Sequence, residues 1–148
     1  MNQKKVNLFQ YNTKLNRWIV ISISSLFFGC QTDQNISGNY YSCSMGEYTE
    51  VYFKQDSMRV ASKSEWVKLT EWRKIDIKND TLYFESFGEW RDKWKAEISY
   101  VGMNKIEMYV IENKDTVILY PLSEDPNFEN LDEFWNGFNN RQNSNNCE

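Results

Sequence analysis

The sequence predicts a mainly β domain: an antiparallel up-and-down β-barrel or meander with one C-terminal α-helix, preceded by a targeting segment. Three observations lead there. Between residues 38 and 123, short alternating segments are separated by turn chemistry about every 8–12 residues, the spacing of an all-β sandwich or barrel. That stretch is rich in Tyr, Trp, Ile, Val and Thr, which fit a pleated, half-buried surface. After Pro121 the apolar period changes from two to that of a helix.

The first segment, Asn39–Met45, carries Tyr40, Tyr41 and Cys43 and stops at Gly46. Tyr48–Phe53 sets Val51 and Phe53 on one face. Gln55-Asp56-Ser57 turns the chain into Met58–Ala61, where Met58 and Val60 share a face. Glu65–Lys78 is mixed: Trp66, Val67, Leu69 and Trp72 fit a strand or a helical turn, whereas Ile75 and Ile77 alternate. Asn79-Asp80 is a turn signal. Thr81–Phe87 then puts Leu82 and Phe84 on one face and Tyr83 and Phe87 on the other, up to Gly88.

Glu89–Val101 has the clearest alternation. Trp90, Trp94, Ala96, Ile98 and Tyr100 fall on one face, and Arg91, Lys93, Lys95, Glu97 and Ser99 on the other. Asp92 interrupts the apolar face, which places it near a turn or inside a cavity. Lys105–Glu112 carries Ile106, Met108 and Val110 together, and Asn113-Lys114-Asp115 turns into Thr116–Leu122. The total is eight or nine short strands joined by short connections, so successive strands should be antiparallel neighbours. Closing such a meander removes its edges, which otherwise invite aggregation.

Asp125-Pro126 precedes an expected helix over Asn127–Asn140, with Phe128, Leu131, Phe134, Trp135 and Phe138 at helical spacing. Asp125 or Asn127 is the expected cap, and Glu129, Asp132 and Glu133 suit the positive N-terminal end. The helix is expected to pack against the barrel wall or mouth. Its acidic face disfavours an anionic membrane. The Asn-rich residues 141–148 read as a flexible tail unless Cys147 is tied down.

The N-terminus has a different character. Lys4, Lys5, Lys14 and Arg17 occur with no acidic residue before an apolar run at Ile19, Val20, Ile21, Ile23, Leu26, Phe27 and Phe28. A positive region, a short apolar region and a small residue at the cut describe a secretory signal peptide. Residues 18–29 fall short of the roughly 20 that span a bilayer. Phe27-Phe28-Gly29-Cys30 resembles the lipobox of bacterial lipoproteins, with Phe27 where Leu is usual and Leu26 one place early. The resemblance implies cleavage before Cys30, lipidation of Cys30 and anchoring of the mature chain in a membrane of the bacterial cell envelope, the outer membrane being favoured. Two acyl chains anchor stably where one does not. Asp33 resembles the acidic position of lipoprotein surface-export signals, and periplasmic and outward-facing orientations stay open. The expected plan is signal peptide 1–29, tether 30–37, barrel 38–123, helix 124–140 and tail 141–148.

Removing residues 1–29 leaves 148 − 29 = 119 residues, one ordinary domain. The net charge goes from −4 to −4 − 4 = −8, because the leader holds four basic residues. An acidic domain without a basic stripe is a poor nucleic-acid binder. Once Cys30 is lipidated, Cys43 and Cys147 form an even pair in an oxidising compartment, and a disulfide between them is expected over two free thiols.

A secreted domain that opens with Gly38-Asn39-Tyr40, runs as a meander and ends in a helix resembles the lipocalin-like small barrels. Their N-terminal pattern is Gly-x-Trp, the Trp ring closing the barrel base; here Tyr40 takes that place. The resemblance implies a small apolar or amphipathic ligand inside the barrel. Leu82, Phe84, Trp94, Ile98, Ile106, Met108 and Val110 are the residues expected to line the site, or to form the core if the barrel is filled.

The chain contains no His, which removes Ser-His-Asp and Cys-His machinery and His-ligated zinc. No Gly-rich phosphate loop and no calcium-loop spacing appears, so neither cofactor nor metal is expected. Glu85, Glu89, Asp92 and Glu97 lie near Trp90 and Trp94, and paired carboxylates beside aromatic platforms can act on sugars. A solvated sheet face accounts for them equally well, and Trp66, Trp72, Trp90 and Trp94 are more often core than platform. The expectation is therefore a non-enzymatic lipoprotein that binds a small ligand. The alternative is a protein-interaction lipoprotein with a filled barrel, such as an assembly factor, inhibitor or immunity protein with an envelope protein as its partner.

Overall fold

The computed structural model describes residues 36–148 except 45, 66, 88–90, 103, 146 and 148. The expected signal peptide and its cleavage site, Cys30 and the first part of the expected tether lie outside these residues.

Among the described residues nine strands follow in sequence: β1 (Gly38–Ser44), β2 (Glu47–Lys54), β3 (Ser57–Ser62), β4 (Arg73–Lys74), β5 (Asp76–Lys78), β6 (Thr81–Glu85), β7 (Lys93–Val101), β8 (Lys105–Val110) and β9 (Asp115–Pro121). Helix α1 (Leu131–Asn145) closes the chain. The sheet order is β4-β3-β2-β1-β9-β8-β7-β6-β5, and every pairing is antiparallel. This is a nearly closed up-and-down barrel, as the alternation predicted.

Closure depends on one residue. β4 pairs with β3 on one edge and β5 with β6 on the other, and only Ile75 separates β4 from β5. Arg73–Lys78 is thus one bent strand that changes partner at Ile75. The Ile75 side chain is buried in the core, and its amide donates to the Asp56 carbonyl at 2.7 Å. Each half of this strand is short, which leaves a seam between β3 and β6. The Arg73 guanidinium crosses it to donate to the Ser86 carbonyl and lies 5.5 Å from the Phe87 ring centroid. Of the stretch left open between strand and helix, the described residues 67–72 form a loop with one isolated bridge, Leu69 to Ala61.

The register puts Val51, Phe53, Met58, Val60, Leu82, Ala96, Ile98, Ile106, Met108, Val110 and Leu119 on the inner face, where they join Ile36 and Ile75 in one continuous cluster. Ile36 is 2% exposed, which corrects the tether boundary. It is the one apolar residue of 31–37, and burying it in the core draws the chain into the domain two residues early. Gly38 follows with φ +116°, a region that side chains disfavour, and an added Cβ would meet the Tyr40 ring. Tyr40 lies edge-on to Phe53 and donates from its hydroxyl to the Ser37 carbonyl at 3.1 Å.

The outer face of β1–β3 is covered by α1. Phe134 and Phe138 are fully buried against Tyr48, Tyr52 and Ala61, with Phe128, Trp135 and Leu69 at the margin. The helix begins at Leu131 rather than near Asn127. Asn130 is the cap: its Oδ1 accepts from the Glu133 amide at 3.2 Å and its carbonyl from Phe134 at 2.9 Å. Asn127 instead makes a local turn to the Glu129 amide at 3.0 Å. The helix also runs on through Asn145, so 141–145 are not a free tail. Arg141 and the Cys43–Cys147 disulfide, with Cα atoms 5.2 Å apart, hold its last turns.

Candidate functional site

The seam carries a cleft of about 770 Å³. Its lining combines both sides of the closure: Asp56, Lys74, Ile75 and Asp76 from the closing strand and the β2–β3 turn, and Tyr83–Glu85, Lys93–Lys95 and Glu112 from the wall. The local cause is the shortness of β5. It pairs with residues 81–83 of β6 and leaves Phe84 and Glu85 without a strand on that side. Phe84 and Trp94 are cross-strand partners on the inner face, with ring centroids 6.3 Å apart in an edge-to-face arrangement. Phe87 stacks on Phe84 at 6.2 Å, so it joins this aromatic group rather than the opposite face.

The rim is mixed in charge. Lys74, Lys93 and Lys95 face Asp56, Asp76, Glu85 and Glu112. Lys74 lies 3.9 Å from Asp56, and Glu112 accepts the Lys95 amide at 3.0 Å. An aromatic floor under such a rim suits a small molecule with an apolar body and a polar end that can both donate and accept. A strongly charged ligand of either sign would meet repulsion from part of the rim.

The residues expected to line a ligand site separate into two groups. Phe84 and Trp94 line the seam cleft. Leu82, Ile98, Ile106, Met108 and Val110 are packed into the interior cluster. The floor of the site is therefore where the inner face reaches the seam, not the middle of the barrel. The carboxylates are also divided. Glu85 shares the cleft with Trp94, whereas Glu97 borders a separate polar groove with Asp80 and Glu107. Asp92 sits before β7, its amide held by the Ser86 hydroxyl at 3.1 Å, which gives the turn placement its physical form. Glu89 and Trp90 lie outside the described residues, as does Trp66. Trp72 is 37% exposed and meets Phe128 edge-to-face outside the barrel, where Arg59 lies 5.3 Å from its ring and 4.6 Å from that of Phe128.

One polar cluster was not read from the sequence. Glu50 is fully buried on the outer face of β2, under α1. Arg141 grips it with both arms, Nε to Oε1 at 2.8 Å and Nη2 to Oε2 at 3.0 Å. The Tyr48 hydroxyl donates to Oε1 at 2.7 Å, and the Tyr52 hydroxyl donates to Oε2. Burial, reinforced by the Glu50 carboxylate, pushes both phenols far above their ordinary pKa. For Arg141, burial acts to lower the pKa, but the bonds to Glu50 outweigh it and the net shift is upward. With every oxygen engaged and no exposure, Glu50 fastens the helix rather than meeting a substrate. The signal was available in the alternation, since Glu50 falls between Tyr48 and Tyr52 on one face, but its partner lies 91 residues away.

Among the described residues, no group of three or more Cys, Asp or Glu side chains is placed to hold a metal ion. No described helix is long and apolar enough to cross a membrane. Comparison with protein-family models gives no match, and comparisons with curated proteins and with solved structures give none either.

Proposed function

We propose that this chain is the precursor of a bacterial envelope lipoprotein whose barrel domain binds a small amphipathic ligand at the seam. The signal peptide delivers it, lipid on Cys30 holds it to the membrane, and the domain acts without catalysis. The seam cleft carries this reading. Its Phe84–Trp94 floor accepts an apolar body, and its mixed rim accepts a polar end. The continuous apolar cluster inside the barrel supports one other reading, a protein-interaction lipoprotein that works through its outer surface.

The test is native mass spectrometry of the lipidated protein extracted in mild detergent. A small molecule that co-purifies and is lost in Trp94→Ala and Phe84→Ala variants supports the seam site. A protein that is ligand-free yet cross-links in cells to one envelope protein replaces the first reading with the second. Metabolic fatty-acid labelling of wild type and Cys30→Ala checks the anchor, which requires the label to vanish and the precursor to accumulate.

A further inference from the structure

The two ends of the barrel differ. At one end are the start of β1, the β2–β3, β5–β6 and β7–β8 turns, and the end of β9. The inner-face register links Tyr40 through Pro121, Leu119 and Ile106 to Tyr100, so Tyr100 stands at the end where the chain enters. Tyr100 is 50% exposed and Val101, next along β7, is 46% exposed. Leu131, at 57%, opens α1 from the same side: Asn39 of β1 is bonded to Asp125 at 2.7 Å and Phe128 packs on Tyr52. These three are the most exposed large apolar residues described. The opposite end carries Gly46 and the Asn113–Lys114 turn instead.

Ile36 is fixed in the core at the entry end. Only five residues lie between it and Cys30, six steps of chain that reach at most roughly 20–22 Å fully extended. Strands of seven and eight residues set the two ends about 20–25 Å apart. A lipid on Cys30 therefore keeps the entry end near the bilayer surface and leaves the other end free to point away. From this geometry we infer that the entry end, through Tyr100 and Val101 and, across the end, Leu131, rests on the interfacial layer of the anchoring membrane. The inference rests on the lipoprotein reading. Tyr suits that layer because its ring is apolar and its hydroxyl wet. Lys54, Lys78 and Lys105 stand among Asp56, Asp80 and Asp125 at this end, and Glu129, Asp132 and Glu133 flank Leu131, a net acidic rim compatible with zwitterionic but not with anionic headgroups. Docked this way, the barrel has a fixed attitude, and its seam faces sideways rather than into the bilayer.

The test keeps the whole gene, so that the host processes the chain. The photo-cross-linker p-benzoylphenylalanine replaces Tyr100 or, as the control, Tyr109 on the outer wall. Each protein is reconstituted in zwitterionic phosphatidylethanolamine–phosphatidylcholine vesicles and illuminated, with circular dichroism checking the fold. The expected result is a phospholipid adduct from position 100 and none from 109. Vesicle-bound protein with no adduct at 100, equal adducts at both positions, or a protein adduct at 100 overturns the docking and leaves the anchor standing. A chain without acyl label that stays off the vesicles overturns the anchor, and the docking falls with it.

Discussion

Removing Arg141 tests what holds the helix to the barrel. In Arg141→Met the aromatic contacts and the disulfide remain, but Glu50 stays fully buried with its countercharge gone. Leaving one member of a buried ion pair without its partner costs about 3–5 kcal/mol. Tyr48 and Tyr52 still donate to the carboxylate, which places the expected loss near the lower end, about 3 kcal/mol. For a domain of this size that is a fall in Tm of roughly 12 °C. The Glu124 contact, at 3.5 Å and largely exposed, contributes little. The decisive measurement is a double-mutant cycle by urea denaturation under oxidising conditions. Glu50→Gln should destabilise the wild type yet stabilise Arg141→Met, because in the second background it removes an unpaired charge. A coupling energy of about 2 kcal/mol is expected, and a value below about 0.5 would refute the argument.

Other outcomes follow from the same contacts. The raised phenol pKa values of Tyr48 and Tyr52 mean that stability is complete below the ordinary tyrosine value of 10 and is lost as pH rises above it. The loss approaches about 2.7 kcal/mol per pH unit for the two groups, and Tyr52→Phe should roughly halve the slope in pH-dependent denaturation. The Cys43–Cys147 bridge closes a sequence separation of 104 residues, so replacing both cysteines by Ser should cost up to about 4–5 kcal/mol. Non-reducing peptide mapping of the native protein should recover Cys43 and Cys147 in one linked peptide. Ile36→Ala should cost about 2–4 kcal/mol by chemical denaturation, since the residue belongs to the core rather than to a tether.

The alternation of β7 and β8 made the sheet legible. A half-buried strand writes its facing into every second residue, and Ala96, Ile98, Met108 and Val110 all point as that pattern requires. The same pattern could not distinguish a hollow barrel from a filled one, because both need apolar inner faces. Only the packing of Leu82, Ile98 and Ile106 into one cluster moved the expected site from the interior to the seam. The closing strand was obscure because Arg73–Lys74 and Asp76–Lys78 are too short to show a period, and their partners come from opposite edges. The helix was found by its spacing but placed early, because Phe128 extends the apolar pattern backwards while packing from a turn. Its true start is marked by Asn130 and Glu133, a pairing that reads as a cap only once the backbone direction is known.

The order of the strands also says how the chain's conformational entropy is spent. Every strand pairing except one joins neighbours in sequence, so seven of the eight pairings are local and close short loops. The exception is β1 with β9, which aligns Tyr40 with Pro121 and must close nearly the whole domain. The disulfide spans the same gap, joining the end of β1 to the residue just past the helix that follows β9. Among the described residues, the covalent cross-link thus falls on the long-range step. Once it forms, the remaining assembly is a series of hairpins on a chain whose ends already meet.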